Sequence, residues 1–371
     1  MSVLAITPFP PIISGGSKAS FEILKRISKN YHVHLLSYSP SRIKFNNLEE
    51  TSLHLPRQSS ILRGIVFIVF GSLLSLFICI AKKPKLIYCK NLNSPGIVGF
   101  IISSITGIPL VLHTSGPDVS RLDFCASLVG NLSRVYFCII KKLRVLQFKR
   151  ASIVIANCSA DEKAVKQFLR DVKVTTIYNG VDTNKFSPIS SKTKQFVKKR
   201  IGIDKKCVGY TGRVDPQKNP QILLEIALSF PKYQFLFVGP SKKEMSLYGY
   251  VPSNVICTGK INNVETYLQA MDVFILPSET EGLSNSLLEA MATQICCICF
   301  PVGEVPFIIN NNVNGIIVKS TSEMKSKIES VLNNLETKIT IAKEARKTVL
   351  ENFQWKITAF RFEKIIRLLT S

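Results

Sequence analysis

Two carboxylates with seven residues between them stand in the stretch Ser278-Glu279-Thr280-Glu281-Gly282-Leu283-Ser284-Asn285-Ser286-Leu287-Leu288-Glu289-Ala290-Met291-Ala292. Glu289 falls inside an apolar helical run, where an unpaired carboxylate is costly, so it calls for a partner; a buried Arg or Lys is the bland candidate. Ser284 or Asn285 can cap that helix, which leaves Glu281 on the preceding loop at the mouth of a site. Upstream, the strand-like Cys207–Thr211 runs into Gly212-Arg213-Val214-Asp215-Pro216-Gln217-Lys218-Asn219. A guanidinium fork and a mobile ammonium beside each other suit a diphosphate, although solvated charges on a surface loop would look the same. Near the start, Gly15-Gly16 precede a helix whose inward face is Phe21, Leu24 and Ile27. Paired glycines there let backbone N–H groups approach an anion, but such pairs more often make only a tight turn, and this one is not a GxGxxG fingerprint.

Positioning these groups requires strands that end where the loops begin. Short apolar runs recur with helix-length segments between them, the pattern of parallel sheets covered on both faces. In the first half they are Ser2–Ile6, Val33–Ser37, Leu86–Cys89, Leu110–His113, Ile153–Ala156 and Val174–Tyr178; in the second, Cys207–Thr211, Gln234–Val238, Val255–Thr258, Val273–Leu276, Ile295–Cys299 and Ile316–Val318. The fold class is therefore α/β, with two doubly wound Rossmann-like domains. Ligands bind such sheets at the carboxyl ends of their strands, so the natural site is a cleft across which the domains face each other. The turn-like Asn179-Gly180 and the lysine-rich stretch after Ser187 put the boundary near residue 185, giving domains 1–185 and 186–354. An amphipathic helix over about 355–371 is expected to pack back on the first.

Apolar residues make up 46% of the 371 and charged residues 20%, which excludes wholesale disorder. Forty-eight Lys and Arg against 25 Asp and Glu give +23, so the partners are anionic: nucleic acid, lipid or a phosphorylated substrate. Residues 1–190 hold 24 basic and 9 acidic residues, making the first half the more basic. The ten cysteines show neither CxxC nor metal-ligand spacing and read as reduced core residues. Met1 leads into Val3-Leu4-Ala5-Ile6 without a signal-peptide pattern, so a cytoplasmic protein is expected. Gly64–Ala81 is 18 residues without a charge, the lower limit for a membrane span. It precedes a strand where the α/β alternation requires a helix, so a buried or membrane-contacting helix is expected instead. Arg134 to Arg150 alternates basic and apolar residues, a pattern able to lie in an anionic headgroup region.

Glu281-Gly282 with Glu289-Ala290-Met291-Ala292 resembles the signature of the retaining family-4 glycosyltransferases of GT-B fold (glycosyl transferases group 1). Gly15-Gly16, Asn179-Gly180-Val181-Asp182, Gly212-Arg213 with Lys218, Asp272 to Leu276, Asn314-Gly315 and the closing Phe353/Trp355 helix stand in family order. The resemblance implies that Gly15, Gly16, Arg213 and Lys218 hold a donor diphosphate, that Glu289 bonds the ribose, and that Lys260-Ile261 lie by the base. It also implies that Glu281 and the N–H groups of Gly282, Leu283 and Ser284 orient the transferred sugar, and that His113 contacts it. Arg213 and Lys218 would stabilise the leaving group, with no cofactor and no metal. Val302-Gly303-Glu304-Val305-Pro306-Phe307 departs from the family's Gly-Gly and Pro-Glu, which puts nucleotide or sugar preference in question. The expected activity is transfer from a nucleotide-diphosphate sugar to a membrane-associated glycan or lipid acceptor in cell-envelope polysaccharide or lipopolysaccharide synthesis, peripheral on the cytoplasmic face of an anionic membrane. Rival readings are an epimerase or phosphorylase on the same fold, or a non-catalytic membrane-surface or nucleic-acid-binding protein. No stacking aromatics interleave the basic residues, which speaks against nucleic acid.

Overall fold

The computed structural model describes residues 1–10, 15–41, 43–55, 61–114 and 131–370, with the side chains of 131–137 outside that description. The chain forms two compact units, Met1–Gly180 with Trp355–Ser371, and Val181–Gln354.

In the first unit the strands are β1 (Ser2–Ile6), β2 (His32–Ser37), β3 (Leu48–Ser52), β4 (Leu86–Lys90), β5 (Leu110–His113), β6 (Ile153–Ala156) and β7 (Val174–Thr176). They form one sheet in the order β3-β2-β1-β4-β5-β6-β7. Every pairing is parallel, with Val3 opposite both Val33 and Leu86. Between them run helices α1 (Gly15–Ile27), α2 (Ile61–Lys82), α3 (Ser94–Thr106), α4 (Asn131–Arg150) and α5 (Ser159–Phe168). Because alternate strand residues point to opposite faces, Val3 and Ala5 join a core with α1, while Leu4 and Ile6 join one with α2 and α3. The closing helix, Trp355–Thr370, lies on the α1 side and contributes Trp355, Phe362, Ile365 and Ile366 to that core. The Phe362 ring meets Tyr88 edge-on at 4.6 Å.

The apolar segment around Gly64–Ala81 is α2, which is long and apolar enough to cross a membrane. Phe67, Gly71, Ser75, Ile78 and Cys79 are its buried residues, and Gly71 lets the helix approach Leu36 and Val98. The amphipathic reading of Arg134 to Arg150 needs a correction at Arg144. That residue is buried, and its guanidinium donates to the carbonyl of Leu92, to Asn93 Oδ1, and to Gln147 Oε1 at 2.8 Å. Helical phase explains this: positions 144, 147 and 148 share the inward face, and Gln147 and Phe148 are buried with it.

The second unit is a parallel sheet in the order β10-β9-β8-β11-β12-β13. Its strands are β8 (Cys207–Thr211), β9 (Gln234–Val238), β10 (Val255–Cys257), β11 (Val273–Leu276), β12 (Cys296–Cys299) and β13 (Ile316–Ile317). Helices α6 (Ser191–Arg200), α7 (Pro220–Ser229), α8 (Val264–Ala270), α9 (Asn285–Ala292), α10 (Thr321–Asn333) and α11 (Leu335–Asn352) cover it; α12 is the closing helix (Trp355–Thr370) of the first unit. At the amino end of β11, Asp272 receives Lys194 at 2.9 Å and Lys198 at 2.8 Å. Burial pushes its carboxyl up, but the two ammonium groups outweigh that and hold it down at about 2. The cysteines described are free, most of them buried.

Candidate functional site

In the second unit the candidate residues sit on loops leaving the carboxyl ends of neighbouring strands, and short bonds tie these loops together. After β8, the Gly212 N–H donates to Val238 O at 3.0 Å, and the buried Tyr210 hydroxyl holds Arg213 O at 3.0 Å. Asp215 caps the following 3-10 turn by accepting from Gln217 N–H at 3.1 Å. That turn is pinned to the loop after β11 twice: Glu279 N–H donates to Gln217 O at 2.8 Å, and Asn219 Nδ2 donates to Pro277 O at 2.9 Å. The two loops hold Lys218 against Glu281 in an ion pair, and Ser278 Oγ donates to the same carboxylate oxygen at 2.8 Å. Glu281 is 8% exposed at its side chain and Lys218 22%, so the pair is mostly withdrawn from water.

Arg213 is exposed, and its guanidinium makes no hydrogen bond or ion pair with the described residues. Ser284 is the N-cap of α9, its hydroxyl accepting from Leu287 N–H at 3.4 Å. Gly282 and Leu283 lead into that cap. Glu289 is half-buried on the helix and engaged by another group. Lys260 and Ile261 follow β10 after Gly259, whose N–H donates to Pro240 O on the loop after β9 at 2.7 Å.

The structural part that several residues play in this assembly was not visible in the sequence. Gly303, after β12, has φ +53, and a Cβ there would lie 2.3 Å from the carbonyl oxygen of Glu281. Next to it, Glu304 is fully buried and its N–H donates to Gly282 O at 3.1 Å. The segment marked in the sequence as a departure thus forms the backing of the Glu281-Gly282 loop. Thr211, the last residue of β8, has a buried hydroxyl without a partner among the described residues. Buried polar atoms are nearly always satisfied, so such an oxygen marks a place for a ligand or water.

In the first unit, Gly15 and Gly16 open α1, where Ser20 Oγ donates to Gly16 O at 3.0 Å. His113 ends β5 and is buried. Asn157 Nδ2 donates to Thr114 O at 2.8 Å, which turns Oδ1 toward His113 Nε2, also at 2.8 Å. Nε2 also lies 3.1 Å from the Lys90 ammonium, and the Tyr88 hydroxyl stands 2.9 Å from Nδ1, so both ring nitrogens are engaged by neighbouring side chains. Burial, then the neighbouring Lys90 ammonium, hold the imidazole well below its usual pKa against the opposing bond to Asn157, so it is neutral. Residues 115–118 of the adjoining loop lie outside the described residues.

Two family models match the chain: Glycosyltransferase Family 4 over residues 13–185 and Glycosyl transferases group 1 over 205–334. The chain belongs to these glycosyltransferases. It is 27% identical over 300 residues to a UDP-Gal:alpha-D-GlcNAc-diphosphoundecaprenol alpha-1,3-galactosyltransferase of Escherichia coli, covering 76% of this chain and 75% of that one. To the capsular polysaccharide biosynthesis glycosyltransferase CapM of Staphylococcus aureus it is 24% identical, over 92% and 90% of the two chains. The fold matches a sucrose-phosphate synthase from Thermosynechococcus elongatus with a TM-score of 0.80, at 16% identity over 100% and 99% of the chains. It also matches Anabaena HepE in complex with UDP and glucose, with a TM-score of 0.76 at 19% identity over 99% of each chain. This glycosyltransferase therefore has the GT-B fold, and its relatives include glycosyltransferases of capsular polysaccharide and lipopolysaccharide core synthesis.

Proposed function

We propose that this glycosyltransferase takes a sugar from a nucleotide-diphosphate donor, with retention of configuration and without a metal, and attaches it to a lipid-linked or glycan acceptor at a membrane. The Lys218–Glu281 pair carries the reading. A carboxylate and an ammonium withdrawn from water at the carboxyl ends of parallel strands are aimed where an anion and a developing cation meet. With donor bound, Lys218 and the exposed Arg213 serve the diphosphate. Glu281, kept in place by Ser278, faces the sugar as positive charge grows on it, and the N–H groups of Gly282, Leu283 and Ser284 orient the sugar hydroxyls.

The acceptor hydroxyl attacks the anomeric carbon on the face the phosphate leaves, and the departing phosphate oxygen takes its proton. Glu289 is assigned to the ribose, Lys260 and Ile261 to the base, and the Gly15-Gly16 turn to the diphosphate. His113 keeps both ring nitrogens on neighbouring side chains, so a sugar hydroxyl at Nε2 would compete there with Asn157 and Lys90. The E. coli relative's undecaprenol-linked substrate supports an acceptor borne on lipid, with the enzyme peripheral on the cytoplasmic face. Slow hydrolysis of UDP-, GDP- and ADP-sugars by the purified protein tests the reading without an acceptor. Turnover of one donor class, lost in Lys218→Ala, is expected; no hydrolysis and no calorimetric binding of any nucleoside diphosphate would sink it.

A further inference from the structure

Helix α2 is uncharged from Gly64 to Ala81, yet the described residues bury only one stripe of it. The buried positions Phe67, Gly71, Ser75 and Ile78 recur at three- and four-residue spacing and face the sheet and α3. On the opposite stripe Leu62, Ile65, Val69, Leu73, Phe77 and Ile80 are each more than half exposed. A surface helix ordinarily turns polar residues to water, and a contiguous apolar stripe rather than scattered residues marks a contact surface.

What covers it follows from the charges around it. Neither α2 nor α4 contains an acidic residue. Lys83 and Lys85, just past the end of α2, are exposed, while Lys82 is paired with Glu49 at 3.0 Å. In the same layer, next to α3, helix α4 turns Ile139, Lys142, Leu146 and Lys149 outward along one stripe, apolar and basic in alternation. A layer that offers hydrocarbon and ammonium groups side by side, without a carboxylate on either helix, matches an anionic bilayer, whose acyl chains and phosphates present the complementary pair.

We infer that α2 lies flat in the surface of an anionic bilayer, its exposed stripe among acyl chains and Lys83, Lys85 and Lys142 among the phosphates. It does not cross: α2 joins β3 to β4, two strands of one sheet, and its buried stripe is fixed on that sheet. The inference deepens the proposed transfer to a lipid-borne acceptor, for which it names the docking element.

Sedimentation of the full chain with phosphatidylcholine vesicles, with and without phosphatidylglycerol, tests it. The protein should pellet with anionic vesicles, and part of that binding should survive high salt, because only its charged share is screened. Leu73→Glu and Phe77→Glu, both at exposed positions, should each lower binding by about tenfold or more, the scale of a charge placed among acyl chains. Trp355 fluorescence in urea should show their folding unchanged. Lys142→Glu should weaken the preference for anionic lipid, and Lys83→Glu combined with Lys85→Glu and Lys142→Glu should remove it. Wild-type protein left in the supernatant overturns the inference. So does a lipid-free dimer dispersed by Leu73→Glu, which would assign the stripe to a second copy. Donor hydrolysis in solution separates the two claims: Leu73→Glu should retain it, and its absence from wild type would count against the transfer reading while leaving the sedimentation result standing.

Discussion

Glu281 shares its carboxylate with Ser278 and Lys218, and a bound donor would draw Lys218 toward phosphate. The carboxylate's charge then matters most as the sugar becomes cationic, so Glu281→Gln should lower the transfer rate by at least about tenfold while donor affinity changes much less. Comparing kcat with calorimetric affinity checks this; equal rates would remove Glu281 from the chemistry. Replacing Lys218 or Arg213 by Ala should weaken nucleoside-diphosphate binding by about 1.5–3 kcal/mol, the scale of a charged hydrogen bond. Unchanged affinity in both would place the diphosphate elsewhere. His113 predicts a pH effect of defined sign. Its folded pKa is depressed, so its contribution to stability is whole above the unfolded value near 6.5. It declines as pH falls below that value, because the unfolded chain then takes up a proton that the folded one refuses. The loss is at most about 1.4 kcal/mol per pH unit. Trp355, the chain's single tryptophan, is buried in the first unit, so its fluorescence in urea at pH 7.5 and 5.5 reports the difference. His113→Gln should flatten it, and an equal slope in the mutant would assign the effect to another group, such as His34. At this scale the sequence showed which residue types were present but not their partners. Arg144 has the same place in a basic amphipathic pattern as Lys142, and only the helix's phase against α3 turns one inward and the other outward.

Elements were legible where both faces of a strand are buried, since such strands are continuous apolar runs: β4, β5, β6 and β8 are covered throughout. β3 was not. Its Leu-Glu-Glu-Thr-Ser lies at the sheet's edge with no fully buried residue, so its membership depends on backbone pairing with β2, which composition does not record. The loop after β12 was half legible: its departure from the family pattern was visible, but not that Gly303 packs its backbone against Glu281 and Gly282. Gly303→Ala would place a side chain in a left-handed conformation and drive its Cβ into two carbonyls. It should therefore displace the Glu281-Gly282 loop and lower kcat/KM by about tenfold or more, while Trp355, in the other unit, unfolds unchanged. Activity near wild type would show that this loop tolerates the shift. At the closing helix, Phe362→Ala should cost about 3–5 kcal/mol, the usual range for a buried phenylalanine, read from the same fluorescence. A change under about 1 kcal/mol would mean that the helix is not integral to the first unit's core.

Over the whole molecule, the excess of 48 basic over 25 acidic residues bears on how a leaving diphosphate is neutralised. An enzyme can place a divalent cation there, held by carboxylates, or can supply fixed basic groups and backbone N–H groups instead. Among the described residues no three His, Cys, Asp or Glu side chains gather as a ligand set. The aspartates closest in sequence to the candidate loops have other duties: Asp215 caps the turn before Lys218, and Asp272 is bound by Lys194 and Lys198 at the opposite end of β11. Lys218, by contrast, stands on the candidate loops against Glu281, and Arg213 is exposed five residues before it. Turnover should therefore survive excess EDTA to within about twofold, since fixed charges need no exchangeable ion. The assay is donor hydrolysis, or transfer once an acceptor is known, before and after chelation and then with Mg²⁺ or Mn²⁺ added back. Activity lost to EDTA and restored by either ion would sink the metal-independent reading. Asp118 and Asp123, which lie outside the described residues, would then be the first acids to replace.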